Sequence, residues 1–266
     1  MRRLFKYLLI APIAVSCEEP VTWDLSTESP NVLIVEGFLT NNPELNYVEL
    51  RRPLQPDGSG PSPVSDAVVY ITDGEDSTFF VENLSEPGRY LPETTLRGVV
   101  NRMYRLGVKV MSREFSALAR MVPVTPIGLF RYTADNSREG YFFITEPVSA
   151  IPALTEYEVS WEVPGNPGER DTSVLRYYTL STVDVNQFFK PAGTKHSFPA
   201  NSQIIRRKYS LAPDYERFIR SLLSETEWKG GWFDVLPGNL HTNLTPGALG
   251  YFAACSVVTD TVRFEE

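Results

Sequence analysis

Apolar and polar residues alternate along most of the chain, and the period is two far more often than it is 3.6. Residues 47–52 read Tyr-Val-Glu-Leu-Arg-Arg, and residues 104–110 read Tyr-Arg-Leu-Gly-Val-Lys-Val. Each is the pattern of a strand with one buried face. Further strands are predicted over 31–40, 64–71, 77–82, around Tyr90 and over 114–120. Asp73-Gly74-Glu75-Asp76 separates two of them, and Asp-Gly is a strong hairpin-turn signal. Strand patterns continue over 140–145, 156–163, 174–180 and 204–211, and an apolar run from Leu249 to Val258 reads as a final buried strand. One segment switches to helical spacing. Tyr215, Phe218, Ile219, Leu222 and Leu223 fall on one face and predict an amphipathic helix over 213–228. Pro213 suits its first turn, Gly230 and Gly231 its exit, and Glu216 can pair with Arg220.

Many short strands separated by turns predict a mainly β protein of the sandwich type. Pro123 and Pro126 interrupt pairing and mark a boundary. A β-sandwich domain is expected over 31–126, followed by a second β-rich domain with one amphipathic helix over 127–266. At 266 residues and 42% hydrophobic, the chain is long enough to build substantial cores. No internal repeat is visible.

The N-terminus has a different character. Arg2, Arg3 and Lys6 precede a short apolar stretch, and Ala14, Val15 and Ser16 lead into Cys17. The stretch is too short to span a bilayer, which takes about 20 apolar residues, but it has the length of a secretory signal. Residues 1–16 therefore read as a lipoprotein signal peptide with Cys17 as the acylated residue. A thiolate is the nucleophile that can carry a thioether-linked lipid. The alternative is an ordinary secretory signal that ends near a cysteine, and Ala14 stands where such lipoprotein signals usually carry Leu. Residues 17–30 become a lipidated tether. Glu18 and Glu19 are either solvated tether residues or part of a surface-export signal.

Removal of 1–16 takes the formal charge from −8 to −11, because that segment holds three cations and no acid. Such a charge argues against nucleic-acid binding, which needs a cationic face. It also leaves acyl chains on Cys17 as the means of membrane attachment. The only other cysteine, Cys255, then has no disulfide partner, and its apolar surroundings predict an inert buried thiol.

Catalytic signals are sparse. His196 and His241 each stand alone in loop-like sequence, without zinc-ligand spacing. No Gly-x-Ser-x-Gly elbow and no phosphate-binding glycine loop occurs. The acids of 73–76 suit a solvated hairpin tip better than a calcium loop. The Gly/Ser/Pro-rich residues 57–63 read as a strand connection or a partner-contacting loop. Arg206-Arg207-Lys208 reads as a solvated strand end, with an anion contact as the lesser alternative. The aromatics Trp228, Trp232, Phe233, Tyr251 and Phe252 bracket Pro237-Gly238-Asn239. Trp228, Trp232, Phe233 and Asn239 are candidates for ligand or partner contact, against core filling around the helix exit. No catalytic or metal-ligating residue is assigned, and the covalent lipid on Cys17 is the only group expected.

Taken in order, several segments resemble a known family. They are Cys17; Leu-Ile-Val-Glu-Gly-Phe-Leu-Thr at 33–40; Val-Ser-Asp-Ala-Val-Val-Tyr-Ile at 64–71; Gly88-Arg89-Tyr90; the strand from Tyr104; the helix from Pro213; and Pro237-Gly238-Asn239-Leu240 followed by Leu-Gly-Tyr-Phe-Ala-Ala at 249–254. The set is similar to Bacteroidota outer-membrane lipoproteins of the domain of unknown function 4249 family, over nearly all of the mature chain. Asp260-Thr261-Val262 also resembles a short O-glycosylation signal of exported Bacteroidota proteins. The family resemblance implies an immunoglobulin- or transthyretin-like first domain and a gene often found beside a TonB-dependent transporter. It supplies no catalytic residues. The expected function is a non-enzymatic, surface-exposed lipoprotein that binds substrate for such a transporter or covers its mouth. A structural or adhesive surface lipoprotein without a transporter is the alternative, and a surface hydrolase is a third reading.

Overall fold

Sixteen strands and one α-helix form among the residues that the computed structural model describes, which are 32–54, 60–163, 165–166, 168–181, 196–229 and 240–265. The first eight strands are β1 (Leu33–Thr40), β2 (Tyr47–Arg52), β3 (Ser62–Pro63), β4 (Val68–Thr72), β5 (Ser77–Glu82), β6 (Arg89–Pro92), β7 (Met103–Val110) and β8 (Arg113–Arg120). Then follow β9 (Tyr132–Ala134), β10 (Tyr141–Ile144), β11 (Ala153–Glu162), β12 (Arg170–Thr179), β13 (Phe198–Pro199) and β14 (Ser202–Ser210). The helix α1 (Pro213–Glu225) precedes β15 (Ala248–Cys255) and β16 (Val257–Phe264). The chain is thus mainly β, as its period predicts. Asn31–Glu266 forms one compact unit.

The first eight strands and β15 make one sheet in the order β15-β1-β2-β6-β5-β4-β7-β8, with β3 paired to β2. Its two end strands nearly meet. Leu244, just before β15, forms a bridge with Ala117 of β8. The Asn243 side chain donates to the Leu118 carbonyl at 2.9 Å and to the Phe252 carbonyl at 2.8 Å, and accepts from the Phe252 amide at 3.0 Å. One amide group therefore satisfies backbone from both ends of an otherwise open sheet. Inside lies a core that takes alternate residues from nearly every strand, among them Val35, Leu50, Ile71, Leu106, Phe115 and Phe252. Burial of such side chains contributes roughly 1.5–3 kcal/mol each. Gly37 faces this core opposite Phe252, where a β-carbon would come within 2.9 Å of the ring.

Two smaller sheets carry the second half. One runs β12-β11-β14-β16, all antiparallel, and the other β13-β10-β9. Phe264 at the end of β16 meets Tyr132, Phe142 and Phe198 edge-on, with centroids 4.6, 4.9 and 5.4 Å away. Phe142, Phe198 and Phe264, with Tyr157, Val159 and Ile204, form the core between the two sheets. The opposite face of the four-stranded sheet presents Leu154, Tyr209 and Val257, and these pack with Tyr251, Ala253 and Cys255 of β15. Period-two alternation in β15 thus buries both faces, since Phe252 and Ala254 point into the first core.

The final apolar run is therefore two strands in two sheets. Ser256 makes the handover: its amide donates to Ser210 Oγ at 3.0 Å, its carbonyl accepts from the Ser210 amide, and its hydroxyl donates to the Val122 carbonyl. The strand predicted over 64–71 is shorter, because Asp66 adopts a φ of 60° and interrupts extended backbone before Val68. The helix begins at Pro213 as predicted and ends at Glu225. The alternation of 257–264 and the two-residue β13 are strands that the sequence reading did not assign.

Gly250 illustrates how tightly β15 is held. Its φ is +100°, and a β-carbon there would lie 2.1 Å from the Val35 carbonyl oxygen. Gly74, at the tip of the β4–β5 hairpin, has a φ of +96° and open space around it. Gly74→Ala should therefore cost about 1 kcal/mol of strain alone, while Gly250→Ala adds a backbone collision and should cost about 3 kcal/mol or more. Urea denaturation of the two variants measures the difference, and equal losses would contradict this account of β15.

Candidate functional site

Of the residues that the sequence marks for ligand or partner contact, Cys17, Trp232, Phe233 and Asn239 lie outside the described residues. Trp228 lies within them. It is 3% exposed and packs with Ile219 and Leu223 of α1, the core-filling placement. Phe252 belongs to the core of the nine-stranded sheet, whereas Tyr251 points to the other side of β15 and stacks on Tyr215 and Phe218 at 5.1 and 4.9 Å.

Beside that stack is the densest polar cluster near the helix. Asp214 sits in the first turn of α1, where a negative charge is favoured by the helix dipole. Its Oδ2 accepts from the Tyr251 hydroxyl at 2.8 Å, its Oδ1 contacts His241 Nε2 at 2.9 Å, and Arg217 pairs with it across one turn. Burial pulls its carboxyl upward, but the Tyr251 and His241 hydrogen bonds and the neighbouring Arg217 outweigh burial and hold it below the ordinary range. Tyr251 is pushed the other way, first by burial and then by the Asp214 carboxylate. With Asp214 ionised, Nε2 of His241 must carry the proton. The pair has the geometry of a carboxylate that orients an imidazole. The nearest candidate nucleophile is otherwise engaged: Ser221 Oγ donates to the Phe218 carbonyl and accepts from the His241 amide. The arrangement fixes His241 against the helix, near the edge of the undescribed segment 230–239.

Sequence spacing could not reveal this cluster, because its members are 27 and 37 residues apart. The Glu216–Arg220 pair, which lies four apart on the helix, is present at 3.4 Å as predicted. Glu216 also accepts from the Ser181 amide and hydroxyl at 2.5 and 2.7 Å.

The basic run differs from its predicted solvated state. Arg206 and Lys208 are buried in mid-strand on one face of β14, and Arg207 faces the other side. Arg206 pairs through both Nε and Nη with Asp260 of β16, donates to the Gly128 carbonyl at 2.9 Å and lies over the Phe130 ring. Arg207 joins Glu156 and Glu158 at 3.1 and 2.8 Å. Lys208 Nζ donates to Thr125 Oγ1 at 2.7 Å and to the Pro126 carbonyl at 3.3 Å. Burial pulls its pKa below the ordinary lysine value. The same contacts show that Asp260, read as part of a glycosylation signal, is the ion-pair partner of Arg206, with its own side chain 42% exposed.

Other marked residues have local roles. Asp73 closes its hairpin by accepting from the Glu75 and Asp76 amides at 3.1 and 2.9 Å and pairing with Arg102. Cys255 is buried and free, and burial pushes its thiol far above the ordinary value. His196 is exposed.

A family model described as a domain of unknown function, DUF4249, matches residues 18–261. No curated protein and no solved structure matches the chain significantly.

The Asp214 cluster sets a pH dependence. The folded carboxyl ionises at a lower pH than in the unfolded chain, so its contribution is full above the unfolded value. It is lost as the pH falls through the folded one. Asp214→Asn should lose about 1–2 kcal/mol at pH 7, the scale of hydrogen bonds to a charged group. It should also flatten the acid limb of stability below about pH 4. Urea midpoints from pH 3 to pH 7 test this, and parallel limbs for the two proteins would refute it.

Proposed function

The chain belongs to the family described as a domain of unknown function, DUF4249, and on that premise we propose that it is a non-enzymatic lipoprotein of the Bacteroidota outer membrane, anchored through Cys17 and facing outward. In this reading it assists a TonB-dependent transporter by binding substrate or covering the transporter's mouth. The observation that carries the proposal is Cys17 at the end of a basic, then apolar, then small-residue leader. The family match begins at the next residue, Glu18, which is consistent with a leader that is removed. An immunoglobulin- or transthyretin-like ancestry of the nine-stranded sheet is part of the same proposal.

The physical logic is one of position. A lipid anchor confines the protein to a surface that a chain of formal charge −11 would not otherwise seek. The 13 residues 18–30 reach roughly 20 Å if they behave as a random coil. Tethering then raises the effective concentration at a membrane partner without requiring a tight interface.

Cys17→Ala should leave the thermal unfolding of the protein unchanged and move it from the membrane fraction to the soluble fraction. Persistent outer-membrane fractionation of that variant would remove the basis of the anchor. Affinity capture of the native lipoprotein from detergent should recover a transporter barrel. Recovery of the lipoprotein without any barrel would favour the structural or adhesive reading.

A further inference from the structure

Against the four-stranded sheet is a cavity of about 140 Å³, lined on the sheet side by Thr155, Tyr157 and Lys208. Thr155 and Tyr157 are two apart on β11 and so share a face, and Lys208 is the direct cross-strand partner of Thr155. All three are more than nine-tenths buried, at 3%, 4% and 7% exposed. Their hydrogen bonding is incomplete. Lys208 uses two of its three N–H donors, both on neutral acceptors. Among the described residues no carboxylate lies within 4 Å of its ammonium, and the Thr155 and Tyr157 hydroxyls have no hydrogen-bond partner. Neither hydroxyl is sealed from solvent, so the cavity is where they open.

Arg206 shows what the same face does with a cation that has a partner. Two residues away on β14, it is closed by a bidentate carboxylate and a carbonyl. A buried ammonium without a counter-ion is unfavourable, and the two hydroxyls beside it are free to bond whatever enters the cavity. We propose that this cavity is a binding site for a small organic carboxylate, whose oxygens accept from Lys208 Nζ and from the Thr155 and Tyr157 hydroxyls. The volume corresponds to about five waters at ~30 Å³ each, so the ligand has a short carbon body. Leu129 and Val148 line the same cavity and are 89% and 93% exposed, which offers that body an apolar edge. Arg131 and Glu146, one of each sign and both exposed, also line it, and Lys208 is the buried charge among the lining residues. The site does not depend on the membrane anchor or on a transporter.

The test uses the full chain in detergent and titrates butyrate, butanamide and inorganic phosphate, with binding read by calorimetry and by the rise in unfolding temperature. Butyrate should bind, butanamide should bind at least tenfold more weakly, and phosphate should not compete. Lys208→Met should abolish butyrate binding. Tyr157→Phe removes only a hydroxyl from a packed ring, so it should unfold like the natural protein and weaken butyrate about threefold to tenfold. That variant decides the matter if Lys208→Met does not fold. Absence of butyrate binding, equal binding of butanamide, displacement by phosphate, or unchanged affinity in Tyr157→Phe would each overturn the proposal.

Discussion

From Tyr251 to Cys255 strand β15 has no solvent face, and most of the architecture follows from that. Phe252 and Ala254 fill the core of the nine-stranded sheet, while Tyr251, Ala253 and Cys255 cover the apolar face of the four-stranded one. A strand buried on both sides must satisfy its backbone in the plane of the sheet. It does so through the parallel pairing with β1 on one edge, and on the other through Asn243 and the bridge from Val122 to Cys255. The near closure of the first sheet is thus a consequence of where β15 lies. So is the position of the helix, because Tyr215 and Phe218 stack on the Tyr251 ring that β15 presents outward.

The four-stranded sheet then inherits a harder task. One of its faces is committed to β15 and the helix, and the other to the aromatic core around Phe264. Charged residues in its central strand β14 cannot all reach water. Arg207 meets Glu156 and Glu158 on one face, and Arg206 meets Asp260 on the other. Each pair answers the desolvation of its cation with a carboxylate from a neighbouring strand, which is the condition for a buried charge to be tolerated. Lys208 alone in this row is held by neutral oxygens.

How much of this could be read from the sequence divides by range. Alternation marks β1, β2, β5, β7, β8, β11, β12 and β14, because a strand with one or two buried faces writes its period into consecutive residues. The helix and its Glu216–Arg220 pair are legible for the same local reason. The handover at Ser256 is not. An apolar run gives no sign that its first half belongs to one sheet and its second half to another. Nor could Arg206, Arg207 and Lys208 reveal their burial, because their partners Asp260, Glu156 and Thr125 lie about 50 to 80 residues away. Trp228 was open to two readings since an aromatic beside a helix exit can face either way; the turn from Leu223 folds it inward.

The two polar clusters of the second half differ in a way that bears on function. In the Asp214 cluster the carboxylate meets a hydroxyl, an imidazole and a guanidinium, and what it achieves is attachment of His241 and Tyr251 to the helix. In the Lys208 cluster one ammonium N–H and two hydroxyls have no partner among the described residues, and they line a cavity rather than meeting another part of the chain. A polar group that has completed its bonds within the fold has little left for a ligand, whereas a buried cation and hydroxyls that line a cavity retain bonding capacity for one. The anchor proposed at Cys17 would concern where the molecule resides, and no feature of it specifies chemistry. Chemical selectivity must come from the folded unit, and within its described residues the converging donors of Thr155, Tyr157 and Lys208 are the arrangement that specifies a ligand group.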